Sequence, residues 1–444
     1  MPNSVQKVEN YVVKEALKGF YNETLFTGVV DRDFNKEFEE RGAKKGDKIF
    51  VKKPAQFRIR KGSKMMVQDV KELKIPVILG EQVGVDFEFS VREATLDIDH
   101  EKSEYSKRFI RPAGSRLASE KDAEGLMKAS VGAGYAVVLD DYDNAALYNG
   151  FVDAKAMLNK QFAPKPVSER YAFVGSDIET KLSDNVSKFF NASKDVTKAI
   201  KQAGMNSVGV GGLTWGTTDL AYTRVNGAGG TTGTLAFDGN FTASNINPNG
   251  PDYENETQWI AITGGTGVVA GDTLEFTKIF YCNPETKGMY AQKLQRKVLE
   301  VGTGANAGKV KVYSIRPNIE LDIDGTASIA EEDKKALRTK QAMANCYCSD
   351  WSDTTLDFKV LGTAGETYLC CPVLHKSAIK LTSVHLVKPK NVEMSAVEDW
   401  KGVFIRFIED YEVREDMLPD RLDMLAEFTV IYPEWISVVE VKIS

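Results

Sequence analysis

The stretch that most constrains this chain is SEYSKRFIRPAGSRLASEKDAEGLMKASVGAGYAVVL, residues 103–139, whose spacing predicts one long helix with extended chain before it and packed chain after it. Ser103 is placed to cap the first turn. Pro112 lacks an N–H but suits an opening turn, so it would kink or restart the helix. Ile110, Ala113 and Leu117 form an apolar stripe that resumes with Ala123, Leu126, Met127, Ser130 and Val131. Between the two halves, Ser119–Asp122 is polar on every side, which predicts a helix that bridges two packed regions and leaves its middle turn wet.

Flanking segments read as other styles of structure. Val5, Val8, Val12, Ala16 and Phe20 fall on one helical face, an amphipathic arm that needs a surface to lie on. Residues 46–90 alternate with period two, through Leu73, Ile75, Val77 and Leu79 and again through Val83, Val85, Phe87 and Phe89. Between those strands, Arg58, Arg60, Lys61 and Lys64 surround Gly62 as an exposed basic tip. Later come helices over 143–160 and 183–202, a short strand at Tyr171–Val174, and strands at Thr273–Tyr281 and Lys309–Ser314. Residues 204–271 turn rich in Gly, Thr and Asn. Within them 238–256 is nearly devoid of apolar side chains, a loop-rich insert. After Tyr368 buried-looking runs return, and the chain closes on alternating Val439, Val441 and Ile443.

Composition removes several classes of function. With 444 residues and 42% hydrophobic content the chain can bury about three domain cores. A net charge of −6 argues against a basic nucleic-acid-gripping surface, and no apolar run approaches the ~20 residues of a membrane helix. Five cysteines and no basic-then-apolar opening point to a reducing compartment, the cytoplasm.

Possible chemistry fails on spacing. Gly304–Lys309 has its second glycine one residue early for a phosphate loop, Val310 where a hydroxyl is required, and a strand where a helix must follow, so a hairpin turn is expected. Asp140, Asp141 and Asp143 lack the glycine and terminal glutamate of a calcium loop. Cys346, Cys348, Cys370, Cys371 and His375 match no common zinc spacing. Carboxylates at Glu409, Asp410, Glu412, Glu415 and Asp416 are interleaved with Arg406, Arg414 and Arg421, which favours surface ion pairing over a hydrolytic pair. His100, His375 and His385 complete no nucleophile–base set. The residues point away from an enzyme and call for no cofactor or metal.

Four ordered stretches carry a resemblance: GDKIFVKKPAQF (46–57), VDFEFSVREATLDIDHEKSEYSKRFIRPAGSRLA (85–118), AGDTLEFTKIFYCNPETKGMYAQKLQ (270–295), and LHKSAIKLTSVHLVKPK with IRFIEDYEVREDMLPDRLDMLAEFTVIYPE between 374 and 434. Together they resemble the coat (major capsid) proteins of tailed bacteriophages, of the podovirus type with an inserted β-domain. The resemblance implies an α+β chain with an N-terminal arm over 1–40, an E-loop and peripheral strands over 41–92, and a spine helix over 93–140. It further implies an axial domain over 141–221 and 346–400, an inserted β-rich domain over 222–345, and peripheral-domain strands over 401–444. It also implies a structural protein of the virion capsid, made in the host cytoplasm. Hexamers and pentamers of such a protein would form an icosahedral shell around double-stranded DNA, with scaffolding and portal proteins as partners, no sequence-specific DNA binding and no membrane. Arg58, Arg60 and Lys61 at the E-loop tip, and Asp238, Asp252 and Glu254 in the insert loop, are the expected inter-subunit residues. The rival reading is a β-rich polysaccharide-binding protein or glycoside hydrolase using the 409–416 carboxylates.

Overall fold

The computed structural model describes residues 8–32, 48–91, 106–140, 144–189, 212–236, 255–264, 267–318, 329–350 and 355–443. The chain is α+β and divides into two compact units. One comprises Met1–Ile49, Val77–Lys128 and Ile379–Ile431, the other Phe50–Pro76, Ala129–Ala378 and Tyr432–Ser444.

In the first unit, a four-stranded antiparallel sheet runs in the order Met394–Trp400, Val403–Glu409, Met417–Met424, Val83–Ser90. Val83–Ser90 alternates half-buried and exposed positions as its period-two pattern requires. Ala396, Val403, Ile405, Phe407 and Leu422 are buried from neighbouring strands. A second ribbon pairs Ile379–Ser383 with Ala426–Val430. The arm helix, Val8–Glu23, has its surface in this same unit. Val12, Val13, Ala16, Leu17 and Phe20 are buried, and Phe20 and Tyr21 meet the Trp400 ring edge-on.

The long helix is shorter than its sequence suggests. A π-helical turn over Ser106–Ile110 passes into the α-helix Arg111–Val131, restarted where Pro112 can sit without breaking a bond. Ser103 lies outside the described residues. Tyr135–Leu139 is a strand, because Gly132 and Gly134 end the helix and a run of Tyr and Val favours extended chain.

Nor is the middle turn wet. Lys121 and Asp122 are almost wholly buried, 1% and 2% exposed. Lys121 Nζ donates to Glu124 at 2.6 Å and to the Ala426 carbonyl at 2.7 Å. Asp122 accepts the backbone N–H groups of Leu25, Phe26 and Thr27 at 2.6, 3.0 and 2.8 Å. The polar residues of this turn are buried, Asp122 against amides about a hundred positions away and Lys121 against a carbonyl 305 positions away. Two glycines let this helix be approached: a Cβ on Gly114 would stand 2.2 Å from the Ala16 carbonyl oxygen, and one on Gly125 would stand 2.5 Å from the Phe26 ring.

Asp420 and Asp423 sit in the four-stranded sheet with opposite fates. Burial alone would raise Asp423, but Arg406 at 2.6 Å and Arg421 at 2.7 Å bring it below its ordinary value. Burial pushes Asp420 up to about 7. The folded chain therefore keeps that proton up to about 7 while the unfolded chain releases it near 3.8, so this group costs stability progressively as pH rises through that window. Asp420→Asn is expected to raise the melting temperature by several degrees near pH 8 and to change it little near pH 4, as read by thermal melts across pH.

In the second unit, a mixed sheet orders its strands Tyr135–Leu139, Ile436–Lys442, Thr367–His375, Arg170–Val174, Thr214–Thr217, with Thr223–Val225 paired alongside Thr367–His375. Helices Asn144–Lys160 and Ser176–Phe189 cover it through a core that includes Phe151, Leu158, Ile178, Trp215, Val373 and Val439. An antiparallel eight-stranded sheet follows the path Met289–Lys297, Thr273–Cys282, Thr355–Val360, Thr232–Ala236, Thr257–Gly264, Lys309–Tyr313, Glu300–Val301, with Cys346–Cys348 beside Thr273–Cys282. Its core includes Leu235, Ile260, Phe276, Leu294, Val312 and Phe358.

These pairings differ from the expected boundaries. Thr355–Val360 is central to the eight-stranded sheet, beyond the expected limit at 345, whereas Thr223–Val225 pairs in the mixed sheet. Ile436–Lys442 joins the mixed sheet rather than completing the first unit, and Ile379–Trp400 belongs to the first unit. Strand partners distant in sequence decide membership, and hydropathy along the chain does not encode them.

Candidate assembly surfaces

The extended loop begins where Pro54 ends the ribbon formed by Lys48–Lys52 and Lys74–Ile78. Its two arms are pinned by a side-chain mimic of a strand pair: Arg58 N donates to Gln68 Oε1, and Gln68 Nε2 returns a bond to the Arg58 carbonyl, both at 3.0 Å. At the tip Gly62 adopts φ +96°, and the Arg60 guanidinium folds onto the Gly62 and Lys64 carbonyls. One edge rests on the helix Glu331–Ala342. Arg338 donates to the Val67 carbonyl at 3.2 Å, Thr339 to the Asp69 carbonyl at 2.7 Å, and Arg58 to the Gln341 side chain.

Arg58, Arg60 and Lys61 are thus all exposed on the loop, but Arg58 is engaged by its own unit. The reading of cations alone missed their apolar neighbours. Phe57 is 58% exposed, Ile59 84%, Met65 76% and Val70 65%. The signal was present in the sequence, since Phe57 and Ile59 alternate with Arg58 and Arg60 in a segment with no ladder to bury them. Asp238, Asp252 and Glu254 lie outside the described residues.

A second exposed feature is the turn 410–416, between Val403–Glu409 and Met417–Met424. Arg406 and Arg421 were expected to neutralise this acidic run, yet both reach Asp423 instead. Tyr411 Oη donates to Asp416 at 2.9 Å, Asp416 holds φ +54°, and its carbonyl accepts Val91 N at 3.1 Å.

The other chemical readings resolve into structure. Gly304–Asn306 is a turn between Glu300–Val301 and Lys309–Tyr313, the expected hairpin. Asp140 accepts the Tyr368 hydroxyl, and Asp141 and Asp143 lie outside the described residues. Cys346 and Cys348 belong to the eight-stranded sheet and Cys370 and Cys371 to the mixed sheet, while His375 meets Glu169 at 3.3 Å. No group of three metal-ligating side chains occurs among the described residues. All five cysteines are buried and none forms a disulfide, and burial pushes Cys282 up to about 11 and Cys371 to about 12. The native protein is expected to leave a thiol reagent unreacted at neutral pH, with five thiols titrating only after unfolding.

A sequence-family model described as "P22 coat protein - gene protein 5" matches residues 1–439. The chain belongs to the P22 coat protein family. It is a tailed-phage major capsid protein, a structural protein of the virion capsid. Among solved structures this capsid protein is similar to Mycobacterium phage Che8 at 10% identity and TM-score 0.46, covering 94% of this chain and 90% of that one. It is also similar to the capsid of Cyanophage P-SCSP1u at 9% identity and TM-score 0.44, covering 95% and 89%. The mature capsid of bacteriophage PhiM1 gives 10% identity and TM-score 0.42, covering 94% and 87%. No curated protein matches the sequence at a significant level. The family assignment rests on the match over 1–439, and no helix among the described residues is long and apolar enough to cross a membrane.

Proposed function

We propose that copies of this capsid protein assemble as hexamers and pentamers into an icosahedral shell that encloses double-stranded DNA. The family match over residues 1–439 carries this reading. Scaffolding protein sets the curvature during assembly in the host cytoplasm, because heterologous contacts close into a shell only when their angle is controlled. A portal complex occupies one pentamer position. The packaged DNA is held without sequence-specific contacts, in keeping with the net charge of −6. The chain has no enzymatic role. The loop bearing Arg58, Arg60 and Lys61 reaches a neighbouring subunit, and Asp238, Asp252 and Glu254 form contacts from the insert. The polysaccharide reading gains no support from the described residues.

Two sedimentation experiments test this. Co-expression with the neighbouring scaffolding gene product is expected to give closed particles, while the chain alone gives monomers and aberrant assemblies. Identical small oligomers in both cases would contradict it. Deleting residues 1–20 removes Phe20 from the Trp400 contact and is expected to abolish closed particles. Normal shells from the truncated chain would refute the arm's role.

A further inference from the structure

This inference is independent of the shell reading and concerns a cleft that lies wholly within the second unit. We propose that this cleft binds a small phosphate, as the free dianion or a monoester, on the guanidinium groups of Arg316 and Arg296 and the ammonium group of Lys287.

The cleft holds about 390 Å³, within the range of small-molecule sites, and its wall carries more cations than it can pair. Arg296 and Arg316 are each 6% exposed. Arg296 spends Nε, Nη1 and Nη2 on the carbonyls of Tyr313, Gln295 and Ser314 at 3.1, 2.9 and 3.4 Å and meets no carboxylate among the described residues. Arg316 has less. Among the described residues its Nε and Nη1 have no acceptor, and its Nη2 stands 3.6 Å from Glu256 Oε2, beyond hydrogen-bond reach. Glu256 commits its other oxygen to Lys53 Nζ at 2.9 Å, and Lys53 also meets Glu434 at 3.4 Å. Lys287 Nζ donates to the Ala344 carbonyl at 2.9 Å.

Four cations therefore share the wall with Glu256 and Glu434, while Glu285 is exposed to solvent. Burial pulls Lys287 below its ordinary value, and the Arg316 charge adds to that pull. Positive charge shut away from water is costly unless an anion joins it. One phosphate dianion offsets the excess of two, which a single carboxylate does not, and its tetrahedral oxygens can accept the free Nε and Nη1 of Arg316 together.

The cationic groups are held in place beforehand. Arg316 N donates to Asn345 Oδ1 at 2.9 Å, and its carbonyl accepts Asn345 N at 2.9 Å. Lys287 stands at φ +59° in a turn whose Glu285 and Thr286 N–H groups are both held by Asn283 Oδ1. Little ordering entropy remains to be lost on binding. The Tyr432 and Trp435 rings, stacked with centroids 4.2 Å apart, line the same cleft beside Gln161, whose buried Nε2 also has no acceptor among the described residues. They offer the organic part of a monoester an apolar face.

Calorimetric titration of the purified monomer with inorganic phosphate, at constant ionic strength and in a buffer free of other oxyanions, is expected to show saturable one-to-one binding. Arg316→Met should weaken it by about tenfold or more, through loss of charge-assisted hydrogen bonds. Lys287→Met should weaken it as well, and Lys390→Met, which removes an exposed cation of the first unit, should leave it unchanged. Phosphate should also raise the melting temperature of the parent more than that of Arg316→Met. An equal rise in both would be the general salting effect of phosphate and would overturn the site. Tighter binding of adenosine 5′-monophosphate than of inorganic phosphate identifies the ligand as a monoester, and equal or weaker binding identifies the free dianion. Absence of saturable phosphate binding to the parent would overturn the proposal. So would unchanged binding in whichever of Arg316→Met and Lys287→Met keeps the parent's urea midpoint.

Discussion

Glu440→Ala is expected to destabilise the capsid protein by about 3–5 kcal/mol, among the largest single-residue effects in the second unit. Glu440 is fully buried on the strand Ile436–Lys442. Its carboxylate accepts Arg224 Nε at 3.2 Å and Nη2 at 2.6 Å and is also bonded by Lys297 Nζ. Arg224 in turn reaches Asp272 at 2.8 Å, and Lys297 donates to the Gly271 carbonyl at 3.0 Å. Burial alone would raise Glu440, but the Lys297 and Arg224 charges more than reverse it, so it is held below the ordinary 4.5. Its stabilising contribution is therefore complete above about pH 4.5 and is lost as pH falls further.

Removing the carboxylate leaves two buried cations with Asp272 as their remaining counter-charge. The cluster also joins the mixed sheet to the eight-stranded sheet, since Lys297 ends Met289–Lys297 and Asp272 precedes Thr273–Cys282. Glu440→Ala should accordingly expose the segment 212–236 to early proteolysis. Combining Glu440→Gln with Lys297→Met should cost less than the sum of the single variants, because each single change strands the other partner. Urea unfolding of the monomers supplies the values for Glu440→Ala, the two single variants and the double variant. A loss below about 1 kcal/mol for Glu440→Ala would mean that the cluster does not hold the unit together.

Asp122→Ala is expected to cost about 2–4 kcal/mol in the first unit. One carboxylate satisfies three N–H groups at the start of the short helix Phe26–Val29, and its charge also offsets the burial that lowers Arg32. Without it those donors remain shut away from water beside Phe26, whose ring meets Phe428 at 5.6 Å. The arm should then fray from residue 25 outward, and limited proteolysis between 23 and 32 should accelerate by more than tenfold. Asp122→Asn should fall between the two, since its amide retains one acceptor but loses the charge. An Asp122→Ala variant as stable and as protease-resistant as the parent would contradict the capping role.

These two residues also mark where the sequence stopped being legible. Patterns with a local period were readable: the arm stripe through Val12, Ala16 and Phe20, the alternation in Val83–Ser90, and the hairpin at 304–309 all depend on neighbours a few positions away. Asp122 and Lys121 were read as a wet turn because hydropathy scores a carboxylate the same whether water or three amides surround it. Glu440 likewise alternates with the apolar Val439 and Val441, a local pattern that carries no trace of its partners at positions 224 and 297. Sheet membership was hidden for the same reason, as Thr355–Val360 lies beyond the expected boundary at 345 yet pairs with Thr273–Cys282 and Thr232–Ala236 within it. At the loop tip the cations were recognised, while Phe57, Ile59 and Met65 passed as ordinary apolar residues because nothing in a sequence says that a side chain remains uncovered.

The central claim is that this chain closes into a shell, and electron cryomicroscopy of the protein co-expressed with its scaffolding partner tests it most directly. Uniform icosahedral particles, with hexamers and pentamers formed by the chain and its extended loop lying on a neighbouring subunit, are the predicted result. A field of discrete monomers or small open oligomers at the same concentration would contradict it.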